Sequence, residues 1–226
     1  MSTESREGAP AGSTSTTHVV ELPDARLEIE RFTCPEPSCR ALLVDENGRS
    51  RDSRALRELA AALRRRGVET FLLDLVTEDE HTPVGVETGL PLLTRRLLAL
   101  TQWIESRPGW LPAQRVFLGT GTATAAAFRA AALLGDGVRA IVSLAGRPDL
   151  ALAELPRVVS PALFVVSELD LTNFELHRLA IDRLTSPHRL EPFRGIARGL
   201  ESAPSIEELA DLVARWLEET VAQGPA

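Results

Sequence analysis

Val116-Phe-Leu-Gly-Thr-Gly-Thr-Ala-Thr-Ala-Ala-Ala127 is the stretch whose reading decides the architecture. Val116–Leu118 is apolar without alternation, as in a strand covered on both faces. A Gly119-Thr120-Gly121-Thr122 bend follows, and the alanine-rich segment Thr122–Leu134 leaves it. Small side chains there read as a buried helix packed closely on the strand. Working outward, Ala41–Val44, Phe71–Val76, Ala140–Leu144 and Ala162–Val166 are further apolar runs of the same kind. Between them lie helical stripes: Leu56, Leu59 and Leu63, then Leu93, Leu97, Leu100 and Ile104. Gly67 stands where a helix stop belongs. Thr172 with Glu175 and Ser205 with Glu208 have capping-box spacing, and Leu209, Val213, Trp216 and Leu217 predict a docked C-terminal helix. Val19–Leu22 and Leu27–Arg31, around Pro23-Asp24, read as an antiparallel hairpin. Strand alternating with helix gives an α/β class: a three-layer sandwich, its central sheet mostly parallel, with that hairpin at the N-terminal edge.

Composition narrows the function classes. At 226 residues with 44% hydrophobic content, the chain has enough for one substantial core. The expected division is a disordered tail over 1–17, a single domain over 18–222 and a frayed end over 223–226. A net charge of −7 is the wrong sign for a nucleic-acid binder. No apolar run approaches the roughly 18 residues of a membrane span, and no basic-then-apolar leader opens the chain, so the expected location is cytoplasmic. Two cysteines, Cys34 and Cys39, are too few for a disulfide framework.

In open α/β sheets, ligands collect beyond the carboxyl ends of the strands. Those ends carry Asp45-Glu46-Asn47-Gly48, Thr77-Glu78-Asp79-Glu80-His81, Gly119-Thr120-Gly121-Thr122-Ala123 and Ser167-Glu168-Leu169-Asp170. With its flanks, the third of these resembles the strand–elbow–helix of α/β-hydrolases, and the dienelactone-hydrolase-like members above all. Other landmarks fall in that family's order, over roughly Arg40 to the C-terminus. Phe71–Thr77 resembles the strand leading to the substrate-side loop, and Ile141–Asp149 the strand and turn after the elbow helix. Pro161–Asp170 resembles the strand that delivers the triad acid, and Arg194–Gly199 the loop that delivers the triad histidine.

The resemblance implies an α/β-hydrolase-like sandwich and assigns roles position by position. An elbow nucleophile is a Ser on a strained turn, served by a His that an acid orients. Here the Ser position is Gly121, the acid position is Asp170, and the His position is Arg198. Neither Thr120 nor Thr122 has small residues two positions away on both sides. The family's His-Gly before the oxyanion loop aligns with Asp45-Glu46, which puts carboxylates where donors belong. Losing nucleophile or base costs about 10⁶ in rate, so serine-type acyl transfer is not expected. Arg198 cannot serve as a base but offers a planar fork, and the expected replacement is an Asp170–Arg198 salt bridge.

The leading expectation is therefore a pseudo-hydrolase without cofactor or metal, acting by binding a small ligand or a protein partner. Ligand-binding candidates are Asp45, Glu46, Asn47, Glu78, His81, Thr120, Gly121, Thr122, Asp170 and Arg198. The alternative is an active hydrolase, lyase or isomerase on a small carbonyl or ester compound, with Asp45, Glu46, Glu78 or Asp170 as acid/base groups. A third is a structural subunit of a larger assembly. Sharper motif readings are outweighed. Gly119-x-Gly121 lacks the third small residue of a dinucleotide fingerprint, Thr124 standing there. His81 beside Glu78, Asp79 and Glu80 reads as a charged loop before it reads as a metal site. Arg64-Arg65-Arg66 reads as a solvated helix end.

Overall fold

The computed structural model describes residues 15–45, 48–80, 86–108, 110, 114–194, 200 and 206–222. Eight strands form one sheet: β1 (Ser15–Glu21), β2 (Arg26–Phe32), β3 (Cys39–Val44), β4 (Val68–Leu73), β5 (Arg115–Thr120), β6 (Ala140–Leu144), β7 (Ala162–Ser167) and β8 (His188–Phe193). Their spatial order is β1-β2-β4-β3-β5-β6-β7-β8. β1 and β2 pair antiparallel, β2 joins β4 antiparallel, and every other pairing is parallel. The helices are α1 (Arg54–Arg65), α2 (Val86–Glu105), α3 (Ala123–Leu134), α4 (Leu171–Ile181) and α5 (Ile206–Ala222). This is the three-layer α/β architecture with an N-terminal antiparallel hairpin.

The mainly apolar character of β3, β5, β6 and β7 follows from burial on both faces. Along β5, Phe117 faces the core under α2, α3 and α4, while Val116 and Leu118 face the core under α1 and α5. Leu97, Leu100 and Ile104 of α2 are buried in the first core, and Leu209, Val213, Trp216 and Leu217 of α5 in the second. Gly67, at φ +80°, ends α1 as expected. Among the described residues, no helix is long and apolar enough to cross a membrane.

Several boundaries differ from the sequence reading. β1 begins at Ser15, so Ser15–Thr17 are paired opposite Glu30–Phe32 rather than lying in the tail. β4 is Val68–Leu73, three residues earlier than Phe71–Val76. Leu75 and Val76 instead turn their N–H groups onto the Gly48 carbonyl. α4 starts two residues before the Thr172 box predicts, because the Asp170 side chain accepts from the Asn173 N–H at 2.9 Å and caps it. Ser205 lies outside the described residues. β8 was not expected. Its charged residues and Pro192 suit a sheet edge, where a missing N–H costs no ladder bond.

The basic run is a solvated helix end that also makes exposed ion pairs. Arg65 and Arg66 pair with Glu207, and Arg66 also with Asp211 at 2.6 Å, which joins α1 to α5. Cys34 and Cys39 are free and buried. Burial pushes the Cys39 thiol up to about 11 and raises Cys34 as well, the reverse of a reactive thiolate.

Candidate functional site

The site is built on the bend between β5 and α3. β5 ends at Thr120, and Gly121 turns the chain at φ +44°, a left-handed conformation that strains any residue with a Cβ. Thr122 is the N-cap residue of α3, and the buried helix follows at once. The bend is sharp because the strand and helix backbones nearly touch. A Cβ on Gly119 would stand 2.7 Å from the Thr124 Cα and 2.9 Å from its N, closer than real Cβ contacts. The Arg147 N–H then donates to the Gly121 carbonyl at 2.8 Å, which fastens the turn after β6 to the bend. Beside it Ala145, a buried non-glycine at φ +47°, holds the end of β6 in a strained conformation of its own.

Asp45 ends β3 next to this bend. It is 4% exposed and accepts from the Thr120 hydroxyl at 2.9 Å. Its backbone N–H donates to the Ser50 hydroxyl at 2.9 Å, and Ser50 donates onward to the Leu73 carbonyl at 2.7 Å. Asp45 and Thr120 thus tie together the ends of two neighbouring strands. Of the sequence candidates, the structure brings together Asp45, Thr120, Gly121 and Thr122. Asp170 is at the end of β7, and its carboxylate caps α4. Glu78 is exposed, on a short 3-10 turn beyond β4. Glu46, Asn47, His81 and Arg198 lie outside the described residues, and the expected Asp170–Arg198 contact with them.

The loop carrying Glu78 is held by a group the sequence reading passed over. Arg96 of α2, 1% exposed, bonds to both oxygens of Glu80 (2.6 and 2.9 Å), to the Leu75 carbonyl at 2.9 Å and to Asp24 at 3.1 Å. Its guanidinium holds the Glu80 carboxyl down at about 2. Nearby Asp74, beyond β4, is raised to about 6 by burial, with the Arg51 N–H and guanidinium pulling the other way. Among the described residues, no group of three His, Cys, Asp or Glu is placed to hold a metal ion.

One Ser–His pair does exist. The Ser143 hydroxyl of β6 lies 3.2 Å from His177 Nε2 of α4, while His177 Nδ1 lies 2.8 Å from the Asn173 carbonyl. Both residues are fully buried. Ser143 faces the core under α2, α3 and α4, so a substrate cannot reach it, and a backbone carbonyl stands where a triad would place a carboxylate. Only the fold could show this pair, since 34 residues separate its members.

No family model matches the chain. A dienelactone hydrolase from Anabaena variabilis superposes with TM-score 0.83 at 27% identity, over 92% of this chain and 99% of that one. A dienelactone-hydrolase-like promiscuous phosphotriesterase from metagenomic libraries superposes with TM-score 0.72 at 15% identity, over 92% and 99% of the two chains. An α/β serine hydrolase homologue from Coxiella burnetii gives TM-score 0.72 at 18% identity, over 89% and 96%. In sequence, a Mycobacterium tuberculosis protein with a provisional phosphoribosyl transferase name is 32% identical over 197 residues. That match covers 86% of this chain but 44% of the relative, so the chain spans less than half the length of the curated relatives it matches. The fold is the α/β-hydrolase fold in its dienelactone-hydrolase-like form.

Proposed function

We propose that this α/β-hydrolase-fold chain does not perform serine-type hydrolysis and acts by binding, through the surface at the carboxyl ends of β3, β5 and β6. The observation that carries the reading is Gly121: the bend that would present the nucleophile has bare backbone at φ +44°. A glycine relieves the strain of about 1–3 kcal/mol that a nucleophilic side chain imposes at such a turn, and it leaves nothing to attack a carbonyl. The aligned acid, Asp170, is engaged as a helix cap, and the aligned base is Arg198, which cannot take up a proton. Asp45, in place of oxyanion donors, opposes a developing negative oxygen.

The alternative of acid/base chemistry by other carboxylates at the strand ends has less to draw on. Asp45 and Asp170 both accept structural hydrogen bonds, and Glu78 is exposed. Within the binding reading we take a protein partner as the first case to test. The curated relative continues well beyond the matched region and bears a phosphoribosyl transferase name. On this reading the matched unit is a docking or ligand-sensing module beside the rest of such a chain.

Two experiments test this. A panel of esters and lactones, run with a serine-directed phosphonate probe, is expected to give neither turnover nor label. Native mass spectrometry and light scattering of the purified protein, alone and mixed with a phosphoribosyl transferase, separate ligand from partner. Efficient turnover of an ester would refute the binding reading.

A further inference from the structure

The Ser143–His177 pair takes no part in that surface, and its surroundings give it another role. We propose that it is an acid-sensitive latch: a neutral His177 holds α4 on the sheet, and gain of a proton releases α4 together with the Asp170 turn.

The hydrogen bonds assign the protons. The Asn173 carbonyl only accepts, so His177 Nδ1 is the donor at 2.8 Å, and Nε2 accepts from the Ser143 hydroxyl at 3.2 Å. In this arrangement both nitrogens of the neutral ring are satisfied. A proton on Nε2 turns that acceptor into a donor, and Ser143 must swing its hydrogen away. The Thr124 hydroxyl, buried and without a partner among the described residues, stands ready to accept it. Thr124 Oγ1 and Ser143 Oγ both crowd the point where a Cβ on Gly146 would stand, the latter at 2.6 Å. The hydrogen bonds can therefore rearrange, but the charge has no partner.

The surroundings of the ring bear out that shortage: β7 presents the edge-on ring of Phe164, with centroids 5.6 Å apart. The charged groups are Arg147 and Asp149 on the turn after β6 and Asp170 at the start of α4. Both Asp149 oxygens are taken by Arg147, each at 2.8 Å, and one Asp170 oxygen is taken by the Asn173 N–H. Burial accordingly lowers the His177 pKa. Arg147 lowers it further, and the Asn173 carbonyl, Asp149 and Asp170 offset only part. An imidazolium sealed there regains solvation by lifting the helix that carries it.

The test is an NMR titration of the four imidazoles from pH 8 to pH 4.5, with amide exchange followed in α3 and α4. His177 is expected to stay neutral at pH 6.5, where an ordinary histidine is half protonated. Protection of α4 amides, corrected for intrinsic exchange, should fall by up to about tenfold per pH unit below about 6.5, while α3 stays protected. His177→Gln should flatten that fall. If the variant does not fold, the wild-type titration decides alone. Titration of His177 at or above 6.5 with α4 protection unchanged would overturn the latch, as would phosphonate labelling of Ser143.

Discussion

Gly121 stands in left-handed backbone space, directly before a helix and against the turn after β6. Any side chain placed there must accept the strain of that conformation. Gly121→Ser is therefore expected to lower stability by about 1 kcal/mol and to yield no useful esterase, since an added hydroxyl still lacks a base. Thermal unfolding and ester assays on the purified variant check both parts. Adding Arg198→His is expected to bring weak activity, limited by Asp45. A vigorous esterase from Gly121→Ser alone would show that the base has been misassigned. At the neighbouring position, Thr120→Val leaves the buried Asp45 carboxylate short of a donor and should cost about 1–3 kcal/mol, measured by chemical denaturation. The Gly-x-Gly bend was legible in sequence because glycine spacing after an apolar run has few other meanings. Asp170 was half legible: its place at a strand end was read, but an aspartate there serves equally as family acid or helix cap, and capping is what the geometry shows.

Among elements, the approach of α3 to β5 sets the shape of the bend. Gly119→Ala would drive a Cβ into helix backbone rather than into a side chain that can rotate away. It should cost about 1–3 kcal/mol or more, seen as a lower denaturation midpoint with an unchanged slope. The core strands were legible because burial on both faces leaves a simple apolar signature. β8 was not, since His188-Arg-Leu-Glu-Pro-Phe193 mixes charge, proline and apolar residues as an edge strand does. The start of α4 was misplaced because Thr172-x-x-Glu175 has the spacing of a capping box, while Asp170 caps the helix two residues earlier. Arg96 illustrates a third limit: an arginine inside an amphipathic stripe looks like a surface residue until its three partners are known. Arg96→Met should free the loop carrying Glu78 and Glu80, raising its proteolytic sensitivity more than that of α3.

For the whole molecule, two buried groups oppose each other as pH falls. His177 has a lowered pKa, so its contribution is complete above about 6.5 and is lost as pH drops below that value. Asp74 is raised to about 6, so folding favours its protonated form, and its penalty grows as pH rises from the ordinary carboxylate value to about 6. Glu80, held at about 2, contributes stability that is present above its ordinary value and is lost on acidification toward pH 2. Asp74→Asn should therefore gain stability relative to the wild type between pH 4 and pH 7, by up to about 3 kcal/mol. Denaturation curves at both pH values check the sign. A variant whose difference from the wild type stays constant with pH would contradict the assignment.

The claim on which the rest depends is that bare backbone stands at the bend after β5 where an attacking hydroxyl would be needed. Intact-mass spectrometry of the wild-type protein after prolonged exposure to a reactive fluorophosphonate tests it most directly. An unchanged mass is predicted; stoichiometric addition mapped to a serine or threonine at the strand ends would contradict it.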